Sequence, residues 1–162
     1  MLTLYLLRHA KSSWADESMR DFDRPLANRG REACAIIGEF IAEKGIDFDL
    51  VLVSTTVRTR ETVDLIKQRA KFNGEVRYDE RIYEATTSQL LEVISQVDDD
   101  RESVLLVGHN PGIEELLALL TGQHVQVTTA TFAKININAP KWSAELGNNG
   151  TLDWIVRPKE LA

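Results

Sequence analysis

The stretch "LTLYLLRHA", residues 2–10, governs how the rest of the chain is read. Its first six residues are apolar except for Thr3, and the run ends abruptly in Arg8 and His9. Continuous apolar runs of this length suit strands covered on both faces, as in parallel sheets flanked by helices. Two more follow the pattern, "DLVLVS" at 49–54 and "SVLLVG" at 103–108. Between the first two, Ala33, Ile36, Ile37, Phe40, Ile41 and Lys44 recur at three and four residues, which predicts an amphipathic helix capped by Asn28 and stopped by Gly45. Further helices are expected over 57–70 and 88–97, and from "NPGIEELLALL", where Asn110 would cap and Pro111 take the first helical position. A short strand is expected at 76–78. The C-terminal part changes character: residues 132–139 of "TFAKININA" alternate polar and apolar, and "GNNG" at 147–150 separates them, and a short strand near Trp142, from "LDWIVRP". The expected fold is α/β, a three-layer α/β/α sandwich with a mainly parallel sheet and an antiparallel C-terminal edge.

Composition narrows the function. The chain has 162 residues, no internal repeat and no linker-like tract, and so reads as a single domain, 1–162. A formal net charge of −6 argues against a generic surface for nucleic acid or anionic membrane, so any anion site must be local. Cys34 is the only cysteine, which leaves no intramolecular disulfide and no cysteine-cluster metal site. The first apolar run lacks a basic leader and stops at Arg8, far short of a signal sequence or of the roughly 20 residues of a membrane span. A cytoplasmic protein is the expectation.

In open α/β sheets, ligands gather outside the carboxyl ends of the parallel strands. Arg8 and His9 follow the first strand, Ser54 ends the second with Arg58 opening the next helix, and Gly108, His109 and Asn110 follow the last. Taken singly, a strand-end histidine is usually structural and an arginine in a first turn usually solvated. Two guanidiniums and two imidazoles gathered at one rim are another matter, because they would repel one another unless an anion neutralised them. Guanidinium matches phosphate oxygens bidentately, so phosphate is the expected anion. Arg60, two residues beyond Arg58 on the same helix, points elsewhere and is expected at the surface.

These residues also carry a resemblance. "LLRHAKSSW" resembles the Arg-His-Gly signature of the histidine phosphatase superfamily, the phosphoglycerate-mutase-like enzymes, with Ala10 where the family has glycine. "LVSTTVRTRETVDLI" is similar to the family's second element in its Ser54, Arg58 and Thr62, and "LLVGHNPGIEEL" to its third, which supplies His109. "RPLANRGREA" is similar to the family's helix-opening segment, with Leu26, Gly30 and Ala33 in place. The short chain, the Arg-Pro-Leu segment and the Gly-His-Asn-Pro-Gly run look most like the SixA-like branch of phosphohistidine phosphatases.

The resemblance implies an enzyme without metal or other cofactor. His9 would be the nucleophile, passing through phosphohistidine, with Arg8, Arg58 and His109 around the phosphoryl oxygens. Ser12 and Asn110 are candidate phosphate contacts; each has an equally simple reading, as a solvated loop hydroxyl and a helix cap. Glu84, in "RIYEATTSQLL", is the candidate proton donor or else a solvated glutamate. A nitrogen-linked leaving group needs such an acid less than an alkoxide does. The stretch between Thr62 and His109 has no room for a long closing insertion, so an open mouth is expected, suited to a phosphorylated protein as well as to a small phosphorylated substrate. Competing readings are a phosphatase of small esters with Glu84 as acid, and a non-catalytic phosphate-binding module, which the Ala10 departure keeps open. A metal hydrolase built on His9 and His109 is disfavoured, since His124 falls in a loop and no carboxylate cluster stands at ligand spacing.

Overall fold

A computed structural model describes residues 1–162. Strands β1 (Leu2–Arg8), β2 (Leu50–Val53), β3 (Glu75–Tyr78), β4 (Ser103–Gly108), β5 (Phe132–Ile137) and β6 (Gly150–Val156) form one sheet in the order β3-β2-β4-β1-β5-β6. The four strands from β3 to β1 run parallel, while β5 is antiparallel to both β1 and β6. The apolar runs are unbroken because both faces are covered. Helices α1 (Asn28–Lys44) and α2 (Val57–Ala70) pack on one face, α3 (Thr87–Ser95) and α4 (Gly112–Thr121) on the other, and a short α5 (Pro158–Leu161) ends the chain. β1 divides its side chains with period two: Leu2, Leu4 and Leu6 join Leu90, Val93 and Leu116 in one core, while Tyr5 and Leu7 join Cys34, Ile37 and Ile66 in the other. Each fully buried leucine contributes about 1.5–3 kcal/mol, so the apolar residues hold β1 in place and its polar end is free for chemistry.

The expected fold class is the observed one, and α2 spans the residues its pattern predicts. Differences lie at ends and turns. Asn28 is the first residue of α1 rather than its cap; Ala27 precedes it and contributes no side-chain bond. Pro111 stands just outside α4, joined to Asn110 by a cis peptide, and the helix opens at Gly112. Asn110 still caps from one residue further out, its Oδ1 accepting the Glu114 N–H at 3.3 Å. Around Trp142 there is a turn and no strand: the indole is fully buried and donates to the Arg101 carbonyl at 2.6 Å, so one side chain anchors the segment without a ladder.

One contact brings the stretch between β1 and α1 back over the sheet. Ser12 and Leu26 form an antiparallel bridge, flanked by Ala27 N–H to Lys11 O at 2.9 Å and Ser13 N–H to Pro25 O at 2.8 Å. Gly30 makes the approach possible, because a Cβ there would fall inside the envelope of the Lys11 carbonyl oxygen.

Candidate active site

The carboxyl ends of β1, β2 and β4 converge on a cavity of about 300 Å³, whose lining includes Arg8, His9, Ser12, Arg58, His109 and Asn110. His9 is held by its backbone and its ring together. Its N–H donates to Gly108 O at 3.0 Å, and ring Nδ1 lies 2.7 Å from the Ala10 carbonyl. A carbonyl can only accept, so Nδ1 carries the proton and Nε2 keeps its lone pair. The Ala10 N–H in turn donates to Thr62 Oγ1 at 3.1 Å, and that hydroxyl donates to Arg58 O at 2.7 Å, tying β1 to the first turns of α2. Ala10 itself is fully buried in the core beneath α1 and α2, with φ outside the left-handed region, so its methyl is accommodated where the family carries glycine.

Arg58 stands in the first turn of α2, which Thr56 caps by accepting the Thr59 N–H. A cation at a helix N-terminus opposes the macrodipole. The placement is sustained by Asp21, in a single 3-10 turn at Asp21–Asp23: Arg58 Nη1 donates to its carbonyl at 2.6 Å and Nη2 to its Oδ2 at 3.0 Å. Asp21 also accepts from Arg24 Nη2 at 3.0 Å and from Tyr83 Oη at 2.7 Å. Burial would raise the Asp21 carboxyl, but the bonds from Tyr83, Arg24 and Arg58 outweigh it and hold the group well below the usual carboxylate range. Burial and that same bond push the Tyr83 phenol up to about 12.

Sequence reasoning missed four residues of the lining, Lys11, Trp14, Arg24 and Thr129, of which Arg24 is the buried one. It is 7% exposed, donates to Ser12 Oγ at 2.6 Å, and stacks its guanidinium 3.6 Å from the centre of the Trp14 ring. Lys11 and Trp14 complete the mouth. The only signal in the sequence was the Arg-Pro-Leu segment, which carried part of the resemblance without marking Arg24 as a site residue. Arg8 donates through Nη1 to the Val127 carbonyl at 3.0 Å, and Asn110 Nδ2 donates to the same carbonyl at 2.8 Å, so Asn110 is engaged at both ends of its amide. Ser12 is likewise engaged, by Arg24. Glu84 is exposed, has φ +53° and does not line the cavity. Arg60 is exposed and stacks on Tyr78.

Four formal cations, Arg8, Lys11, Arg24 and Arg58, therefore line a cavity with two imidazoles 5.2 Å apart. Burial, opposed by the Ala10 bond and reinforced by the neighbouring guanidiniums, lowers His9 to about 4. Burial, then His9 and Arg58, lower His109 to about 3. Both rings are neutral at physiological pH. The Nε atoms of Arg8 and Arg58 are buried and have no partner in the protein. The two arginines thus keep hydrogen-bonding capacity that the protein does not use, and the cationic lining to which they belong suits an oxyanion.

Residues 4–90 match the model of the histidine phosphatase superfamily (branch 1). The chain belongs to that superfamily. It is 30% identical over 160 residues to a chloroplastic protein of Arabidopsis thaliana, covering 93% of this chain and 73% of the other. A solved structure from Agrobacterium tumefaciens, assigned as the phosphohistidine phosphatase SixA, superposes with a TM-score of 0.84 at 29% identity, covering 97% of this chain and 98% of that one. A protein histidine phosphatase SixA complexed with tungstate gives a TM-score of 0.86 at 19% identity, covering 99% and 100%, a likeness of fold. Within the superfamily the chain falls in the SixA-like branch.

Proposed function

We propose that the protein is a phosphatase for phosphorylated side chains, with protein phosphohistidine as its substrate class, acting through a phosphohistidine intermediate on His9. The observation that carries this reading is the fixed tautomer of His9: a neutral ring with its Nδ1–H spent on Ala10 and its Nε2 lone pair free, among guanidiniums. Nε2 attacks phosphorus, the bond from phosphorus to the leaving nitrogen breaks, and that nitrogen takes a proton from solvent. Water then attacks the phosphorus on His9, releasing inorganic phosphate and restoring the ring. Arg8, Arg58, Arg24 and His109 surround the phosphoryl oxygens and offset the charge spread over them in a loose transition state.

Two features favour nitrogen-linked over ester phosphate. Glu84 lies off the cavity, and Asp21, which grips Arg58, is held ionised by its bonds from Tyr83, Arg24 and Arg58, so neither is placed to protonate an alkoxide. The charged residues that line the cavity with His9 and His109 are Arg8, Lys11, Arg24 and Arg58, a setting that attracts anions. The mouth, with Trp14 71% exposed, is open enough for a side chain presented by another protein.

The test compares wild type and His9→Ala, without added metal, on a phosphohistidine peptide and on a panel of phosphate esters. Faster turnover of the peptide, acid-labile phosphate trapped on wild type, and loss of both in the variant are expected. Full turnover by His9→Ala would refute the mechanism, and a preference for esters would refute the substrate class.

A further inference from the structure

His109 differs from His9 in one respect that decides what it can do. The partner of His9 Nδ1 is a carbonyl, which fixes the proton, whereas the partner of His109 Nε2 is the Ser54 hydroxyl at 2.8 Å, which can donate or accept. Ser54 has no solvent exposure, and its backbone is locked at the end of β2 by its N–H to Val107 O at 3.1 Å and by Thr59 Oγ1 donating to its carbonyl at 2.6 Å. His109 is the only group its hydroxyl bonds. The other ring nitrogen, Nδ1, lies on the cavity side 3.5 Å from Arg58 Nη2, which can only donate, so without a ligand this contact suits a lone pair on Nδ1.

The ring is neutral, so its two nitrogens share one proton. If Ser54 accepted from Nε2, a lone pair would face the cavity and repel a phosphoryl oxygen. If Ser54 donates, the proton sits on Nδ1 and meets that oxygen as a hydrogen-bond donor.

We propose that Ser54 is a positioning residue: when a phosphoryl oxygen takes the place of the Arg58 contact at Nδ1, the Ser54 hydroxyl donates to His109 Nε2, and His109 thereby presents Nδ1–H to the phosphoryl group. The purpose assigned to the bond rests on the phosphatase reading above; the tautomer needs only a bound phosphate, which inorganic phosphate supplies without turnover. The two histidines then carry their protons on the same ring atom with opposite results. A carbonyl beside His9 leaves a lone pair for attack, and a hydroxyl behind His109 leaves a proton for binding.

The experiment is ¹⁵N spectroscopy of the histidine side chains in the full-length protein near neutral pH, with and without inorganic phosphate. Wild type with phosphate is expected to show His109 with Nδ1 protonated and Nε2 as acceptor. Ser54→Ala should shift His109 toward the other tautomer and weaken phosphate binding about tenfold, while Ser54→Thr, which keeps the hydroxyl, retains the wild-type tautomer. A wild-type spectrum with the proton on Nε2 in the presence of phosphate would overturn the proposal, and it is decisive even if a variant fails to fold. An unchanged tautomer in folded Ser54→Ala would do the same. Because the tautomer is read without turnover, an inactive protein with Nδ1–H on His109 would sink the phosphatase reading and leave the tautomer assignment standing.

Discussion

Acid should cost this protein stability in a pH range where ordinary surface histidines contribute nothing. His9 is 7% exposed and is lowered from its ordinary 6.5 to about 4, first by burial and then by Arg58, Arg8 and Arg24, against the opposing bond to Ala10. Its folded pKa lies below its unfolded one, so between about pH 6.5 and 4 the unfolded chain binds a proton that the native state refuses. Stability therefore rises with pH through that window and is lost as pH falls. At pH 5 the linkage is RT ln[(1 + 10^1.5)/(1 + 10^−1)], which is about 2 kcal/mol from His9 alone. His109, lowered to about 3, adds a contribution of the same sign. Asp21 acts in a separate window: its depressed carboxyl stabilises above its ordinary pKa and is lost only at more acidic pH. Denaturant titrations at pH 7.5 and 5 should therefore show wild type losing about 2 kcal/mol more than His9→Gln. NMR titration of the imidazoles reads the same quantity directly. Bound phosphate, by placing negative charge beside both rings, should move their titration upward. An imidazole of His9 titrating near its ordinary value in the unliganded protein would refute the reasoning.

Arg58→Lys should lower kcat/KM by on the order of 100-fold or more, because an ammonium cannot reproduce the two-nitrogen grip on Asp21 that sets the guanidinium in the cavity wall, whereas Arg60→Lys should leave it unchanged. Steady-state kinetics on one phosphosubstrate decides between them. Glu84→Gln should alter turnover less than about twofold, since the side chain is off the cavity; a drop of about 100-fold in kcat would make Glu84 the proton donor after all. Asp21→Asn should slow turnover about tenfold while strengthening inhibition by inorganic phosphate, because the arginines lose their restraint and their counter-charge together. Gly30→Ala should destabilise by about 1–3 kcal/mol in thermal or urea unfolding, since α1 must move off the Lys11 carbonyl.

The parts of the site legible in the sequence are those that sit at the ends of regular elements. Arg8, His9, Arg58 and His109 could be placed because apolar runs and helical stripes mark where strands stop and helices open, and parallel topology then brings those ends together. Arg24 and Asp21 lie in a stretch with no period, and nothing local says which way either side chain points. Their positions depend on the bridge between Ser12 and Leu26 and on the missing Cβ of Gly30, contacts between segments more than ten residues apart. Trp142 misled for a related reason, since an aromatic among polar residues suggests a strand, while a single buried indole bonded to Arg101 holds a turn as well. What the aperiodic stretch supplies is preorganisation. Fixing a free arginine on a ligand costs about 1.5–2 kcal/mol of side-chain entropy. Asp21 meets that cost at folding by binding both Nη atoms of Arg58, and it leaves the buried Nε unpartnered. A chain of net charge −6 can thus hold a cationic cavity at one end of its sheet, because one carboxylate sets two guanidiniums in place without lining the cavity itself.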